Sequence, residues 1–361
     1  MTDVAPPAVA RPGALQGSPS AGRAVVWHGG EVDVVTARLP LCRPREVLVA
    51  MSLATVCGCV RAQIAEHGRG TAPITLGHEG VGIVVAVGAG ARSISGGALQ
   101  PGQRIVWLSQ VACGACARCR AGRRDECRAA SHIGAGADAG DLLLSGTFGS
   151  HLLLPAGTAV EEVPAWAPDA LVAPAGCAVA RAAAALDRLG PVAGQRVGVM
   201  GAGLVGLAAA AIAAERGAAS CVLVDPDPVR RSRALAFGAD LALDVDVRAP
   251  ACDAVIVTPG AGAGARAALS ALGRGGVLAL LGPLAPGAGS VDLAAVARAG
   301  WNVVGVRGLD PRHLVTAVDV LVSTHAVRPW TSLVAAPVPL ERAATALLKS
   351  DAAASRTSLV P

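Results

Sequence analysis

The chain predicts an α/β protein in two parts, a mostly-β domain and a doubly wound parallel-sheet domain. Three observations carry this. Up to Pro164 the apolar residues come in short, β-branched, alternating runs with turn residues between them. From Arg196 onward, strand-like runs alternate with helical ones. Where that second region begins, Gly201-Ala202-Gly203-Leu204-Val205-Gly206 joins a strand to a helix. A length of 361 residues and a 53 % hydrophobic fraction suit two cores, on a prior of roughly one domain per 150 residues.

Residues 1–22 are rich in Ala, Pro, Gly and Ser. They lack the basic start and apolar core of a secretory signal, so a disordered tail is expected. Antiparallel strands follow in RAVVWHGG, EVDVVTARL and REVLVAM. A helix over VRAQIAEHG is opened by Thr55-Val56-Cys57-Gly58. The run LGHEGVGIVVAVGAGA, from Leu76 to Ala91, is a strand whose glycines mark bends or close backbone approach. His78 and Glu79 stand side by side at its start. A surface histidine ahead of a core strand would look the same. Two further donors, Cys57 upstream and Cys177 in another segment, favour a metal-type site over that reading. PGQRIVWL and GTFGSHLLLP are two more strands. Ala175-Gly176-Cys177 then starts the alanine-rich helix CAVARAAAALDRLG, stopped by Gly190-Pro191 at a domain joint.

Between those strands lie Cys113, Cys116, Cys119 and Cys127, spaced C-x2-C-x2-C-x7-C. Thiolate is zinc's preferred structural ligand, and four in so short a loop close a tetrahedron with no open position. Apparent binding free energies on the order of 10 kcal/mol are enough to fold a lobe, residues 110–130, that has no core of its own. A reduced, metal-free cluster is the alternative. In a long chain without a secretory signal, clustered cysteines more often bind metal than form disulfides. Cys42, Cys221 and Cys252 sit in apolar or strand-like settings and read as small hydrophobes.

The nucleotide half starts with the strand RVGVM, the glycine turn and the helix LAAAAIAAERG, and Asp225 follows at the end of SCVLV about 20 residues on. That is the context a dinucleotide fingerprint requires. Gly201, Gly203 and Gly206 let backbone N–H groups approach a pyrophosphate, and the helix start at Leu204-Val205 favours its charge. Asp225 would accept hydrogen bonds from the adenosine ribose and repel a 2′-phosphate, which favours NAD over NADP. Arg230 and Arg231 stand nearby, and an arginine can accommodate that phosphate. The alternation continues through DPVRRSRALAFGA, DAVIVT, ARAALSALG, GGVLALLG, WNVVGVRG and DPRHLVTAVDVLVSTH as one right-handed parallel sheet. Between Asp240 and Cys252 there is no room for a helix, and the sheet is expected to be trimmed there. The C-terminal tail has a helix and two strand-like pieces and is assigned back to the first domain.

Other function classes recede on composition. Five Trp, two Phe and no Tyr leave no base-stacking platform. The net charge of +5 is scattered, and the five arginines at 118, 120, 123, 124 and 128 come without a helix-insertion pattern. They read as a solvated charged loop, and no nucleic-acid surface is expected. No apolar run reaches the roughly 18–20 residues that span a bilayer, so no membrane partner is expected either.

Together these residues resemble the zinc-dependent alcohol dehydrogenases of the medium-chain dehydrogenase/reductase superfamily. The match runs from about residue 23 to the end. It rests on TVCG (55–58), GHEGVG (77–82), PGQRIV (101–106), the four-cysteine lobe, Cys177, GAGLVG (201–206) with Asp225, and VPLERA near the C-terminus. The resemblance implies a GroES-like catalytic domain made of residues 23–180 and 325–361, and a Rossmann NAD-binding domain over 181–324. It implies two zinc ions per subunit: a catalytic one on Cys57, His78 and Cys177 with water in the fourth place, and a structural one on the lobe. Glu79 matches an acid behind the catalytic zinc, and Arg230 a basic residue at the adenosine ribose. The activity implied is hydride transfer between a small alcohol, or its aldehyde or ketone, and NAD. A cytoplasmic homodimer or homotetramer is implied as well, joined through an edge strand at Trp301–Gly308.

The chain departs from that family beside Cys57. Relatives usually carry a Ser or Thr and then an Asp where this chain has Cys59 and Val60, and many have a relay histidine where it has Ala62. The missing groups start a proton relay and brace the histidine ligand, and losing such a partner typically costs about 10–100-fold in metal affinity or activity. Cys59 either relays through its own ionisation or competes as a zinc ligand. Two alternatives follow: a zinc-stapled NAD-binding protein with weakened or lost catalysis, and a carbonyl reductase with an altered relay.

Overall fold

The computed structural model describes residues 21–66, 73–134, 143–282, 284, 292–348 and 355–361. Residues 1–20 of the expected tail lie outside it. Ala21 and Gly22 do not belong to a tail: they open the first strand, Ala21–His28, which pairs antiparallel with Glu31–Arg38.

A mixed sheet of seven strands forms the heart of the first half. Its central strand, Val47–Val56, is apolar along most of its length and almost wholly buried. Glu79–Val87 pairs antiparallel along one edge, with Thr55 opposite Glu79. His151–Leu154 and the C-terminal strand Thr357–Val360 pair with the same central strand. The last strand of the chain therefore begins one residue from Cys57, with Thr357 opposite Val56.

The second half is a six-stranded parallel sheet. Its order across the sheet is Leu241–Leu243, Ser220–Val224, Arg196–Met200, Cys252–Val257, Leu272–Leu281 and Asn302–Val306. This is the arrangement that places a dinucleotide at the point where strand order reverses. The sheet is not trimmed between Asp240 and Cys252. Leu241–Leu243 is present as the third strand, held by its ladder to Ser220–Val224 and by Asp240, whose carboxylate accepts from Cys221 N at 2.7 Å. What is lost is the crossover helix, since no helix occurs over 244–251. The helix expected over DPVRRSRALAFGA shortens to Pro228–Arg231 and a 3-10 turn, Ala234–Phe237. A helix at Leu293–Ala299 had no expectation behind it.

Alanine sets how the helices stack. Ala182 to Ala185 on the helix Ala178–Leu189 and Ala208 to Ala211 on Leu204–Glu215 are all buried. Side chains this small let the two axes come close and pack over the parallel sheet. At the far end of Ala178–Leu189, Asp187 gathers Arg216 at 2.9 Å, Arg312 at 3.2 Å and His313 at 3.2 Å. The His313 hydrogen bond, followed by the Arg216 pair, holds the Asp187 carboxyl at about 2 despite partial burial. A depressed carboxylate stabilises the fold above its ordinary pKa, and that contribution fades as pH falls toward its folded value. Asp187→Asn is therefore expected to lower the melting temperature at pH 7 by about 2–4 °C, the shift for ~1 kcal/mol in a domain of this size. Thermal melts should show the gap from wild type closing as the pH is taken from 4 toward 2.

Candidate active site

Cys57 and His78 meet because of strand register. Cys57 directly follows the strand Val47–Val56, and His78 directly precedes Glu79–Val87. With Thr55 opposite Glu79, the chain leaving one strand faces the chain approaching the other. Cys57 Sγ lies 3.1 Å from His78 Nε2. Cys177 arrives from elsewhere, at a 50° bend between Asp169–Gly176 and Ala178–Leu189. Its Sγ is 3.4 Å from the same ring nitrogen. The bend needs Gly176, because a Cβ there would stand 1.7 Å from the carbonyl oxygen of Trp107.

Four donor atoms converge: Cys57, Cys59, His78 and Cys177 each present one within 4.8 Å of the others. Zn–S bonds of about 2.3 Å and Zn–N bonds of about 2.0–2.1 Å place tetrahedral donors roughly 3.5–3.8 Å apart, so the set fits zinc in both softness and spacing. Electrostatics point the same way. Hydrogen bonds from Cys57 and Cys59, with the His78 charge, hold the Cys177 thiol well below its usual value although burial opposes them. Burial disfavours a charged His78, but the Cys177 thiolate outweighs it and raises the ring to about 10. A divalent ion binding here replaces that proton.

Glu79 sits behind this cluster, fully buried. Its carboxylate accepts from Thr55 Oγ1, from Arg356 Nε at 2.8 Å and from the backbone N of Ala178 at 3.1 Å. Burial raises its pKa, with the Arg356 charge working against that.

The second cluster is the lobe. Cys113 and Cys127 Sγ are 3.5 Å apart, Cys113 and Cys119 3.9 Å, and Cys116 and Cys127 4.0 Å. Cys113, Cys116, Cys119 and Cys127 thus present a four-sulfur set at tetrahedral spacing. Arg118 and Arg123 of the lobe both pair with Glu126, so these two are tied down within the loop rather than merely solvated.

In the nucleotide half, Gly201 has φ +108, and a Cβ on Gly206 would stand 1.7 Å from the Gly201 carbonyl oxygen, which makes the strand–helix turn tight. A Cβ on Gly203 would meet nothing within 4 Å, so the face along which a pyrophosphate passes is open. The helix start at Leu204 and Val205 has no side-chain cap, leaving backbone N–H groups for an anion. Asp225 stands at the end of the strand Ser220–Val224, next to this turn. It is buried, and its carboxylate accepts from Ala202 N at 2.7 Å and Asp227 N at 2.8 Å. Through these two contacts it braces the glycine turn. Arg230 pairs with Asp227 at 3.5 Å, and Arg231 with Asp244 at 2.6 Å.

Three residues at the site had no sequence signal assigned to them. Arg356 is one. Arg181 lies one turn beyond Cys177 on the same helix, where the charges of Cys177, Cys59 and Cys57 outweigh burial and raise its pKa. His132 stands close enough to Arg181, His78 and Arg307 for their charges, after burial, to lower its pKa. Trp107, at the end of the strand Arg104–Trp107, is buried in the core. Val60 is fully buried as well.

Residues 43–165 match the family model described as the alcohol dehydrogenase GroES-like domain. Over 250 residues the chain is 34 % identical to L-threonine 3-dehydrogenase of Anaeromyxobacter dehalogenans, spanning 65 % of this chain and 67 % of that one. It is 33 % identical over 253 residues to geraniol dehydrogenase of Castellaniella defragrans, spanning 65 % of each. A crystal structure of an alcohol dehydrogenase from Thermotoga maritima superposes with a TM-score of 0.85 at 26 % identity, covering 94 % of this chain and 99 % of that one. Fold and relatives define an oxidoreductase acting on CH–OH groups, built from a GroES-like and a Rossmann part. Within that class, the chain belongs to the zinc-dependent alcohol dehydrogenase family of the medium-chain dehydrogenase/reductase superfamily. The alternative of a binding protein without catalysis is not favoured by these relatives.

Removing one member of the buried pair leaves the other charge without a partner. Arg356→Leu is expected to destabilise the protein by about 3–5 kcal/mol. Denaturant titration should show Glu79→Gln combined with Arg356→Leu recovering part of that loss, because the orphaned charge is then gone.

Proposed function

We propose that the protein is an NAD-dependent zinc alcohol dehydrogenase that passes a hydride between a small alcohol, or its aldehyde or ketone, and the nicotinamide. The observation that carries this is the convergence of Cys57, His78 and Cys177, drawn from three separate segments, on donor positions within 4.8 Å. In this reading those three residues hold a catalytic zinc, and the four lobe cysteines hold a structural one. Zinc bound there supplies Lewis-acid polarisation of the substrate oxygen, and the coenzyme supplies the hydride acceptor.

The chain's own residues do the rest. Glu79, fixed by Thr55, Arg356 and Ala178 N, holds negative charge behind the donor set and keeps the two strands and the helix in place. The turn from Gly201 to Gly206 takes the pyrophosphate on open backbone, with Leu204 and Val205 at the helix start. Asp225 keeps that turn rigid and sets its charge against a 2′-phosphate, which supports NAD over NADP. Arg230 borders the adenosine side. Cys59 stands among these donors where relatives carry a hydroxyl, and its thiol is a weak proton donor.

We further read the enzyme as a cytoplasmic homodimer or homotetramer. All the described cysteines are unpaired, as a reducing compartment would keep them. The parallel sheet ends in Asn302–Val306, whose outer edge has no partner strand among the described residues and whose side chains are largely exposed. An unpaired edge of this kind suits pairing with a second copy. Among the described residues no single helix is long and apolar enough to cross a membrane.

Purified protein is expected to carry two zinc ions per chain and to form NADH from NAD when given a panel of small alcohols. Cys57→Ala should retain one zinc and lose at least 100-fold in turnover, on the scale typical of disturbed zinc sites. Turnover unchanged in that variant would remove the zinc reading. Light scattering should report a dimer or tetramer, and Val304→Lys on the edge strand is expected to shift it toward monomer.

A further inference from the structure

We infer that Cys59 is a fourth protein ligand of the metal held by Cys57, His78 and Cys177, so that the resting site is a closed set of three sulfurs and one imidazole. The inference rests on the zinc reading above and goes beyond it, because that reading leaves the fourth place to water.

Geometry is the first support. The four donor atoms form one group in which every pair lies within 4.8 Å, and Cys59 belongs to it on the same terms as the other three. Cys57 and Cys59 flank Gly58 at the start of the helix Gly58–Glu66. A Cβ on Gly58 would meet nothing within 4 Å, so the chain between the two sulfurs has room to turn them to one centre. Cys59 also packs against the apolar core of this half, which directs its side chain inward. A soft thiolate held at this distance competes well with water for zinc.

Charge is the second support. Zinc with two thiolates and a neutral imidazole is neutral overall, and Glu79 with Arg356 forms a neutral pair beside it. Arg181 is then left over. It sits half-buried one turn beyond Cys177 on the same helix, and its Nε is shut off from solvent without a partner among the described residues. Burying a cation beside a neutral centre is costly. A third thiolate makes the metal set carry one negative charge, and Arg181 then balances it. The fourth place accordingly opens to a substrate only when the Cys59 side chain swings away.

The test uses the full chain loaded with Co2+ in place of zinc, with wild type and Cys59→Ser side by side. Sulfur-to-cobalt charge-transfer absorption counts thiolate ligands, and the lobe contributes equally to both proteins. The variant should fall below wild type by about one part in seven, the share of one thiolate among the seven cysteines of the two clusters. Equal bands at two metals per chain would overturn the inference while leaving the zinc reading intact. A chain that takes up metal only at the lobe would overturn both. A second measurement needs no variant: with zinc bound, iodoacetamide footprinting should leave Cys59 unmodified and modify it after chelation. Alkylation of Cys59 with both zincs retained would also overturn the inference. Cys59→Ser should in addition lose its second zinc at a chelator concentration about 10-fold or more lower than wild type.

Discussion

The pairing of Thr55 with Glu79 across two antiparallel strands is the constraint on which the site depends. A slip of one residue would turn every side chain to the opposite face and carry His78 away from Cys57. Glycine prevents the slip. A Cβ on Gly80 would stand 2.7 Å from the Leu53 carbonyl oxygen, and one on Gly82 2.4 Å from that of Ala50. The glycines that follow His78 are thus read best as a register device. They let the two strands close tightly beside the donors and play no part in approaching a ligand.

Register brings two donors together, and Glu79 brings the third. Its carboxylate touches the central strand through Thr55, the C-terminal strand region through Arg356 and the start of the helix Ala178–Leu189 through Ala178 N. A buried ion pair of this kind adds little net stability against an apolar substitute, since both charges lose their water. Its effect is positional. Any arrangement that moves the helix start away from the strand leaves a buried carboxylate short of donors, so Cys177 is placed by the cost of the alternatives. The same logic explains Asp225, whose two backbone acceptor contacts make the glycine turn a defined shape before any coenzyme arrives.

Much of this was legible in the sequence where one residue type had one physical use. Cysteine spacing identified the lobe, and a strand–glycine–helix junction identified the nucleotide turn. His78 and Cys57 were legible because strand ends flank them. Arg356 was not, because a single arginine in a short C-terminal strand carries no pattern until the strand's partner is known. Arg181 and His132 were hidden for the same reason, their significance being a matter of distance to residues far along the chain. The third strand of the parallel sheet was missed on length: three residues, Leu241–Leu243, suffice when a neighbour supplies the ladder.

The helix Ala178–Leu189 links the two metal-type clusters mechanically. Cys177, Arg181, Ala184 and Arg188 recur at helical spacing and fall along one stripe. At one end of the stripe is the donor set around His78. At the other, Arg188 pairs with Asp125 of the lobe at 2.7 Å. The lobe is pressed against the nucleotide half at the same residue, since a Cβ on Gly308 would lie 1.8 Å from the Asp125 carbonyl oxygen, and Leu309 N donates to Gln110 at 3.3 Å. Asp125 occupies the short 3-10 turn Arg124–Glu126 directly before Cys127. Its position therefore depends on the lobe being folded around its four sulfurs. Within the lobe, Arg118 and Arg123 hold the same turn through Glu126. The four-cysteine lobe is thus joined to Cys177 by a continuous path through Asp125, Arg188 and the alanine-lined helix Ala178–Leu189.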